Sequence, residues 1–176
     1  MKPIFTTRLS LSEFTESDAS FALSLLNEPD FHRYIGDKGV RTVADAERYL
    51  REGPIASYAK HGHGLWRVGL RATGEPLGMC GLIRRDYLDA PDIGFAYLAR
   101  HCGRGYGHEA GTATLDYGRK VLGLHRILGI TQPDNAASIA LLNKLGLRAE
   151  GTLVAPSDGK TLLVYSTSPR SAPVSP

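Results

Sequence analysis

The sequence predicts one mixed α/β domain in which strands and helices alternate along most of the chain. Segments with an apolar side chain at every second residue and segments with apolar side chains at helical spacing follow one another in the order β-α-α-β-β-β-α-β-α-β-β. The chain has 176 residues, 42% of them hydrophobic and 22% charged, which is an ordinary globular composition. We therefore expect a single domain over residues 1–166 and a disordered, Ser- and Pro-rich tail at 167–176.

The first 60 residues are predicted to form one strand and two helices. Residues 8–12 alternate polar and apolar side chains, which is typical of a half-buried strand. The run TESD at 15–18 has the spacing of a capping box and predicts that a helix begins there. The run TVAD at 42–45 repeats this signal before a second helix, which Gly53-Pro54 ends or kinks.

The remaining elements follow from the same periodicities and from the turn residues between them. Three successive strands are expected before the longest helix, and a strand, a helix and a hairpin are expected after it. Their predicted bounds are 65–71, 77–85 and 92–98 for the strands, 108–121 for the helix, 126–131 and 135–145 for the next strand and helix, and 147–154 with 161–166 for the hairpin.

Charge, cysteine content and the amino terminus exclude several classes of protein. The net charge of +3 is too small to indicate a nucleic-acid or membrane partner. Cys80 and Cys102 lie far apart and outside any metal-ligand spacing, so we expect neither a disulfide nor a metal site. Residues 1–8 lack the apolar core of a signal peptide, and no apolar run is long enough to span a membrane. A cytoplasmic location is therefore expected.

A glycine-rich segment between a predicted strand and a predicted helix is the strongest functional signal. Gly103, Gly105 and Gly107 alternate with Arg104 and Tyr106 just before that helix. Glycines allow positive φ and let phosphate oxygens approach the backbone, while a helix start directs free amides at an anion. The segment therefore predicts a phosphate or pyrophosphate site, with a tight turn that binds nothing as the alternative.

Two common nucleotide motifs do not explain this segment. The chain has no GxxxxGK[ST] string, which excludes a Walker A loop. Residues 105–110 formally match GxGxxA, but a dinucleotide site needs an acidic residue that ends a following strand about 20 residues on. Asp134, the nearest acid at that scale, follows Pro133 in a predicted loop instead.

The glycine segment resembles motif A of the GNAT N-acetyltransferases, whose consensus is [QR]xxGx[GA]. The runs DIGF at 92–95 and GRGYGHEA at 103–110 are most similar to the branch that acetylates the amino termini of ribosomal proteins, the Rim-type branch. The run NAASIALLNKLGL at 135–147 resembles that branch's NxxSxxLxxKxGF. The resemblance covers about residues 6–166, and it implies the GNAT fold, in which two central strands splay apart.

The resemblance also implies how acetyl-CoA is bound. The backbone of Tyr97 and Leu98 is expected to pair with the pantetheine arm, and Asn135 to bind that arm from the other side, unless it serves only as a helix N-cap. The pyrophosphate is expected on the amides of six successive residues, which are Gly103, Arg104, Gly105, Tyr106, Gly107 and His108.

Three positions depart from the family pattern. Cys102 stands where the broad consensus has Gln or Arg, and Leu147 replaces a Phe. Leu142 occupies the position of a tyrosine that protonates the departing thiolate in many members, so that acid is absent. Ser138, one helical turn earlier, is the candidate to replace it, with a bond to the helix backbone as the alternative role.

An amine that attacks a thioester must lose a proton, and the developing oxyanion needs a donor. Asp92 is the candidate base, although an exposed turn aspartate is the common alternative. A backbone amide near Tyr97 is the candidate oxyanion donor. Loop histidines at 61, 63 and 108 are expected to be solvated.

The predicted function is therefore transfer of the acetyl group of acetyl-CoA to a primary amine by direct attack in a ternary complex. The acceptor is left open between a protein N-terminus, a polyamine, an aminoglycoside-like drug and a metabolite amine, which loop acids at 30, 37, 86 and 89 would attract. The protein is expected to be a monomer or a homodimer. A CoA-binding or sensory domain of the same fold without turnover is the alternative function.

Overall fold

The computed structural model describes residues 2–168, which form one eight-stranded sheet with helices on both faces. This confirms the predicted mixed α/β architecture. The strands are β1 (Ile4–Phe5), β2 (Leu9–Ser12), β3 (Leu65–Leu70), β4 (Pro76–Ile83), β5 (Asp92–Tyr97), β6 (Leu128–Thr131), β7 (Arg148–Val154) and β8 (Thr161–Ser166). The helices are α1 (Ala19–Leu26), α2 (Pro29–Tyr34), α3 (Val43–Leu50), α4 (Ala56–His61), α5 (Tyr106–Lys120) and α6 (Ala136–Lys144).

One pair of neighbouring strands in the middle of the sheet is barely paired. The strand order is β1-β2-β3-β4-β5-β6-β8-β7, and all neighbours are antiparallel except β5 and β6. These two run parallel and are bridged at one position, where Asp92 faces Leu128 and Leu128 N donates to Pro91 O at 2.9 Å. Beyond this bridge the strands separate. The resulting wedge, called the gap below, confirms the predicted splayed pair.

Helices cover both faces of the sheet and divide the core into two main layers. On one face, α5 and α6 pack against a cluster that includes Trp66, Leu115 and Leu142. On the other face, α1 to α3 cover a second cluster that includes Leu25 and Leu50, while Tyr58 of α4 packs against the first cluster. The gap is therefore flanked by helical layers on both sides.

The predicted helix starts are confirmed by their capping contacts. Thr15 N donates to the Asp18 carboxylate at 2.9 Å, and Thr42 N donates to the Asp45 carboxylate at 3.0 Å. After α3, residues 51–55 form a π-helical turn that contains Pro54 before α4 begins. The wider turn accommodates a residue that cannot donate a helical hydrogen bond, so Gly53-Pro54 interrupts the helix as predicted.

The short helix α2 and the two-residue strand β1 are absent from the sequence prediction. In α2 only Phe31 is buried, so no periodicity reveals it, although Pro29 at the first helical position and Asp30 in the first turn are typical of a helix start. Gln132 Nε2 donates to Arg33 O at 3.2 Å and Tyr34 O at 3.0 Å. These bonds attach the end of α2 to the segment between β6 and α6.

The predicted tail begins with two residues that still contact the domain. Thr167 N donates to Ile127 O at 3.0 Å, and Ser168 Oγ donates to His125 O at 3.1 Å. The rest of the predicted tail, 169–176, lies outside the described residues. Within 2–168, no helix has both the length and the apolar character needed to cross a membrane.

Candidate active site

The edge of β5 that faces the gap carries free backbone groups. Leu98 N donates to Leu77 O at 3.0 Å across the β4–β5 pair. Alternate residues of a strand direct their backbone groups to opposite edges, so Phe95 and Tyr97 direct theirs into the gap. Leu98 O accepts from His101 N at 2.9 Å, so both backbone groups of Leu98 are used internally. Both backbone groups of Leu98, which is predicted to pair with a ligand, therefore have partners within the described residues, whereas those of Phe95 face the gap.

The opposite edge of the gap belongs to β6. Leu128 N points across the bridge to Pro91 O, and Ile130, two residues further along, directs its backbone to the same side. Beyond the bridge, the backbone groups of Ile130 on β6 and those of Phe95 and Tyr97 on β5 face each other, and no strand of the described chain lies between them. The gap can therefore accept an extended chain that carries amide groups, in the way that a sheet accepts an added strand.

The loop that leads from β5 into α5 lies at the open end of the gap. Gly103 and Gly105 have φ values of +75° and +80°, which favour glycine. Within residues 2–168, the six amides from Gly103 to His108 donate no hydrogen bond. The helix dipole adds a partial positive charge at the same place. Six free donors at a helix start form a site for an anion of the size of a pyrophosphate.

Gly107 differs from its neighbours because it lies inside α5 and has no positive φ. A Cβ atom on Gly107 would lie 3.2 Å from Leu141 Cδ2, and one on Gly111 would lie 2.7 Å from Leu145 Cδ1. The two glycines, one helical turn apart, let α6 approach α5 closely. The expectation of positive φ at Gly107 is thus wrong, although its amide remains one of the six free donors.

The start of α6 borders the gap on the side of β6. Asn135 Oδ1 accepts from Ser138 N at 3.1 Å, which is the N-cap role considered for this residue. Ser138 is half-buried and shares a helix face with Leu141 and Leu142. Within the described chain its hydroxyl makes no hydrogen bond. Leu142 is buried against Gly129 of β6, so no acid occupies that position.

Asp92 lies at the closed end of the gap and is buried, with 1% of its side chain exposed. The alternative of an exposed turn aspartate is therefore wrong. Its Oδ1 accepts from Arg85 Nε at 2.9 Å. Burial raises the pKa of Asp92, and the Arg85 guanidinium opposes this rise. The ion pair keeps a charged carboxylate in an apolar layer.

Other polar side chains also differ from their predicted surroundings. His63 is buried, with Nδ1 3.0 Å from Leu82 O, so the expectation of a solvated histidine is wrong there. Asp37 pairs with Arg41, which holds the pKa of that carboxyl well below its usual range. Its negative charge is therefore already compensated by a neighbour.

Three residues of the site, Phe95, Ile130 and Arg85, escaped the sequence prediction. Phe95 was recoverable, since it stands two residues before Tyr97 and shares its strand edge. Ile130 and Arg85 carry no such signal. The edge that Ile130 presents depends on the partner of β6, and Arg85 reaches Asp92 across a loop whose course the sequence does not specify.

Comparison with known proteins gives a consistent family. The family profile described as an acetyltransferase (GNAT) domain matches residues 8–148. The uncharacterised N-acetyltransferase YoaA of Bacillus subtilis is 30% identical over 156 residues, which are 87% of this chain and 87% of YoaA. The crystal structure of a GNAT-family acetyltransferase from Bacillus anthracis has a TM-score of 0.78 and 26% identity, and covers 93% of this chain and 96% of that one.

The fold also matches that of the ribosomal alpha-N-protein acetyltransferase RimL, solved in complex with coenzyme A. The TM-score is 0.80, with coverage of 94% of this chain and 97% of RimL. The identity is 17%, so this likeness concerns the fold alone.

Proposed function

Because this chain belongs to the GNAT family of acetyltransferases, and is an acetyl-CoA-dependent enzyme that acetylates an amine, we propose that the transfer takes place in the gap between β5 and β6. The row of six free amides from Gly103 to His108 at the mouth of this gap carries the proposal. These amides lie beside the strand edges of β5 and β6 that face the gap, so one cleft offers both an anion site and free strand groups.

The residues of the gap suit the successive parts of acetyl-CoA. The amides from Gly103 to His108 bind the pyrophosphate. The amides of the pantetheine arm bind to the Tyr97 carbonyl and to the free backbone groups of Phe95 and Ile130. Asn135 contributes its side-chain NH₂ group, since its oxygen already caps α6. Acetyl-CoA supplies a thioester carbonyl for the amine to attack and a thiol that leaves.

Three groups of this chain serve the reaction. The Tyr97 amide, which points into the gap, donates to the developing oxyanion. Asp92 takes the proton of the attacking amine through intervening water, because five residues of β5, about 16 Å of strand, separate it from Tyr97. The Arg85 guanidinium favours the charged form of the Asp92 carboxylate. The Ser138 hydroxyl donates a hydrogen bond to the leaving sulfur, in the position one helical turn before the family's tyrosine.

The acceptor is a primary amine, either a protein N-terminus or a small molecule, and it enters from the side of α1 to α4. Along β5 the side chains on that face are Asp92, Gly94 and Ala96. Ile83 and Leu65 cover the strand at Gly94, where a built Cβ would lie 2.6 Å from Ile83 Cδ1, and the same two residues line an open cavity beside α3 and α4 that can admit an amine. The coenzyme occupies the C-terminal end of β5, so the two substrates approach from different directions.

Acetyl-CoA should raise the melting temperature, whereas NAD should not. A ligand that binds only the folded state stabilises it by about 2.7 kcal/mol at a hundredfold excess over Kd. Mixing the protein with acetyl-CoA and a panel of amines should also release free thiol at a rate that depends on the amine. Stabilisation by NAD alone would contradict the proposal. Stabilisation by acetyl-CoA without amine-dependent thiol release would favour a binding domain that does not turn over.

Ser138→Ala should lower kcat by roughly 10–100-fold, at the lower end of general acid catalysis, since a thiol leaves tolerably well unaided. Affinity for acetyl-CoA should change little, because the cap bond uses the backbone N–H of Ser138 and survives the substitution. Steady-state kinetics and thermal unfolding of the same sample separate the two roles. Unchanged kcat with a lower melting temperature would restrict Ser138 to a structural part.

A further inference from the structure

The glycine-rich loop is braced by a segment nearly a hundred residues earlier in the chain. Glu109, in the first turn of α5, accepts three hydrogen bonds from the turn between β1 and β2. Its Oε1 accepts from Thr6 Oγ1 at 2.6 Å and from Arg8 N at 2.8 Å, and its Oε2 accepts from Arg8 Nε at 2.7 Å. Both carboxylate oxygens are thus occupied by this turn.

From this anchor, the Arg8 guanidinium reaches three consecutive residues of the loop. Arg8 Nη1 donates to Arg104 O at 3.1 Å, and the guanidinium lies over the Tyr106 ring at 4.7 Å from its centre. Its Nη2 atom is 3.4 Å from the position that a Cβ on Gly105 would occupy. The bond to the Arg104 carbonyl fixes the peptide plane that joins Arg104 to Gly105, and with it the direction of the Gly105 amide.

The ion pair between Arg8 and Glu109 also offsets the repulsion that a carboxylate would exert on a bound phosphate. Partial burial acts to raise the pKa of Glu109, but hydrogen bonds from Thr6 and Arg8 outweigh it and hold the pKa below its usual value. Glu109 is therefore charged at neutral pH, in the helix turn whose amides are free for an anion. An uncompensated carboxylate there would repel a phosphate group, and the adjacent Arg8 cation cancels that repulsion.

Fold stability alone is a weak reason for this arrangement. The Arg8 side chain is 46% exposed, and ion pairs at such exposure contribute little to the free energy of unfolding. Its contacts are concentrated on the one loop that carries the six free amides.

We propose that Arg8 is a positioning residue for acetyl-CoA: it holds the loop in its binding shape through Arg104 and neutralises Glu109 beside the phosphates. This inference rests on the proposed function. It assigns a role in coenzyme binding to the turn between β1 and β2, which lies outside the glycine segment.

The test is a double-mutant cycle on acetyl-CoA affinity, measured by calorimetry, with kcat and melting temperature as further readouts. Arg8→Met should raise Kd for acetyl-CoA about tenfold or more, as expected for a lost charge-assisted hydrogen bond and an exposed like charge, with kcat within about twofold. Glu109→Gln keeps the acceptor oxygen for Thr6 and should have a smaller effect. The double variant should bind more tightly than Arg8→Met alone, because no carboxylate then faces the phosphates.

Arg51→Met is the control, since Arg51 has a similarly exposed side chain and makes a bidentate pair with Glu16, which is more exposed than Glu109 and lies outside the loop. It should leave Kd unchanged. Equal Kd values for Arg8→Met and wild type would overturn the whole proposal. If the double variant binds acetyl-CoA no more tightly than Arg8→Met, the proposed neutralisation of Glu109 is overturned. If the wild type itself does not bind acetyl-CoA, both the proposed function and the role of Arg8 fail. If the wild type binds and Arg8→Met binds equally well, only the role of Arg8 fails, so the wild-type titration distinguishes the two cases.

Discussion

Gly105→Val is expected to abolish measurable acetyl-CoA binding and to lower kcat/KM at least about 100-fold. Gly105 precedes α5 with φ of +80°, a conformation that costs L-residues about 1–2 kcal/mol and a β-branched residue more. Relief of this strain rotates the peptide planes that aim the free amides. The new side chain also meets Arg8, whose Nη2 atom lies 3.4 Å from the Cβ position. Calorimetry with acetyl-CoA and steady-state kinetics measure both effects.

Gly123→Val is the control for this variant. Gly123 follows the other end of α5, has φ of +66° and has no atom within 4 Å of a built Cβ. The two substitutions therefore impose similar backbone strain, but only the first acts on the loop. Gly123→Val should lower the melting temperature and leave Kd unchanged. Tight coenzyme binding by Gly105→Val would mean that the pyrophosphate is held elsewhere.

Arg85→Met should destabilise the fold by roughly 3 kcal/mol at neutral pH, because breaking a buried pair leaves an uncompensated charge. The charge left behind is the Asp92 carboxylate, with 1% exposure. Burial already raises the pKa of Asp92, and loss of Arg85 removes the opposing influence. When the pKa of a carboxyl group is higher in the folded state than in the unfolded state, the free energy of unfolding falls as the pH rises from the unfolded-state pKa to the folded-state pKa. The variant should therefore lose stability relative to wild type as the pH rises above the ordinary pKa of a carboxyl group.

Asp92→Asn provides the comparison for Arg85→Met. It removes the buried charge and leaves Arg85, a third of whose side chain is exposed and can turn towards water. We expect a smaller loss of stability with no added pH dependence, together with a large fall in kcat if Asp92 is the base. Denaturant unfolding at several pH values measures the difference. If both variants lose the same free energy of unfolding at every pH, the Asp92 carboxylate is not left as an unpaired buried charge when Arg85 is removed.

Local patterns predicted most elements of this fold and the loop of the candidate site. The capping boxes, the alternation in β3 to β5 and the glycine string are all read within a few residues. What they miss depends on tertiary partners. The free edge of β5 is set by the bond from Leu98 to Leu77, and the role of Gly107 by the approach of α6. The brace from Arg8 to Glu109 joins residues about a hundred positions apart, and no periodicity reports such a distance.

The gap also bears on how this protein avoids unwanted association. Unpaired strand edges are a general hazard, because they offer a template to any foreign strand. Here the two strand edges that border the gap, on β5 and β6, face each other inside the sheet, and helical layers lie above and below them. A polypeptide strand carries side chains on both of its faces, and these would have to fit between those layers. A slender, unbranched chain with amide groups needs no such space, so we expect the gap to favour a coenzyme arm over a foreign strand while it still offers the hydrogen bonds of a sheet.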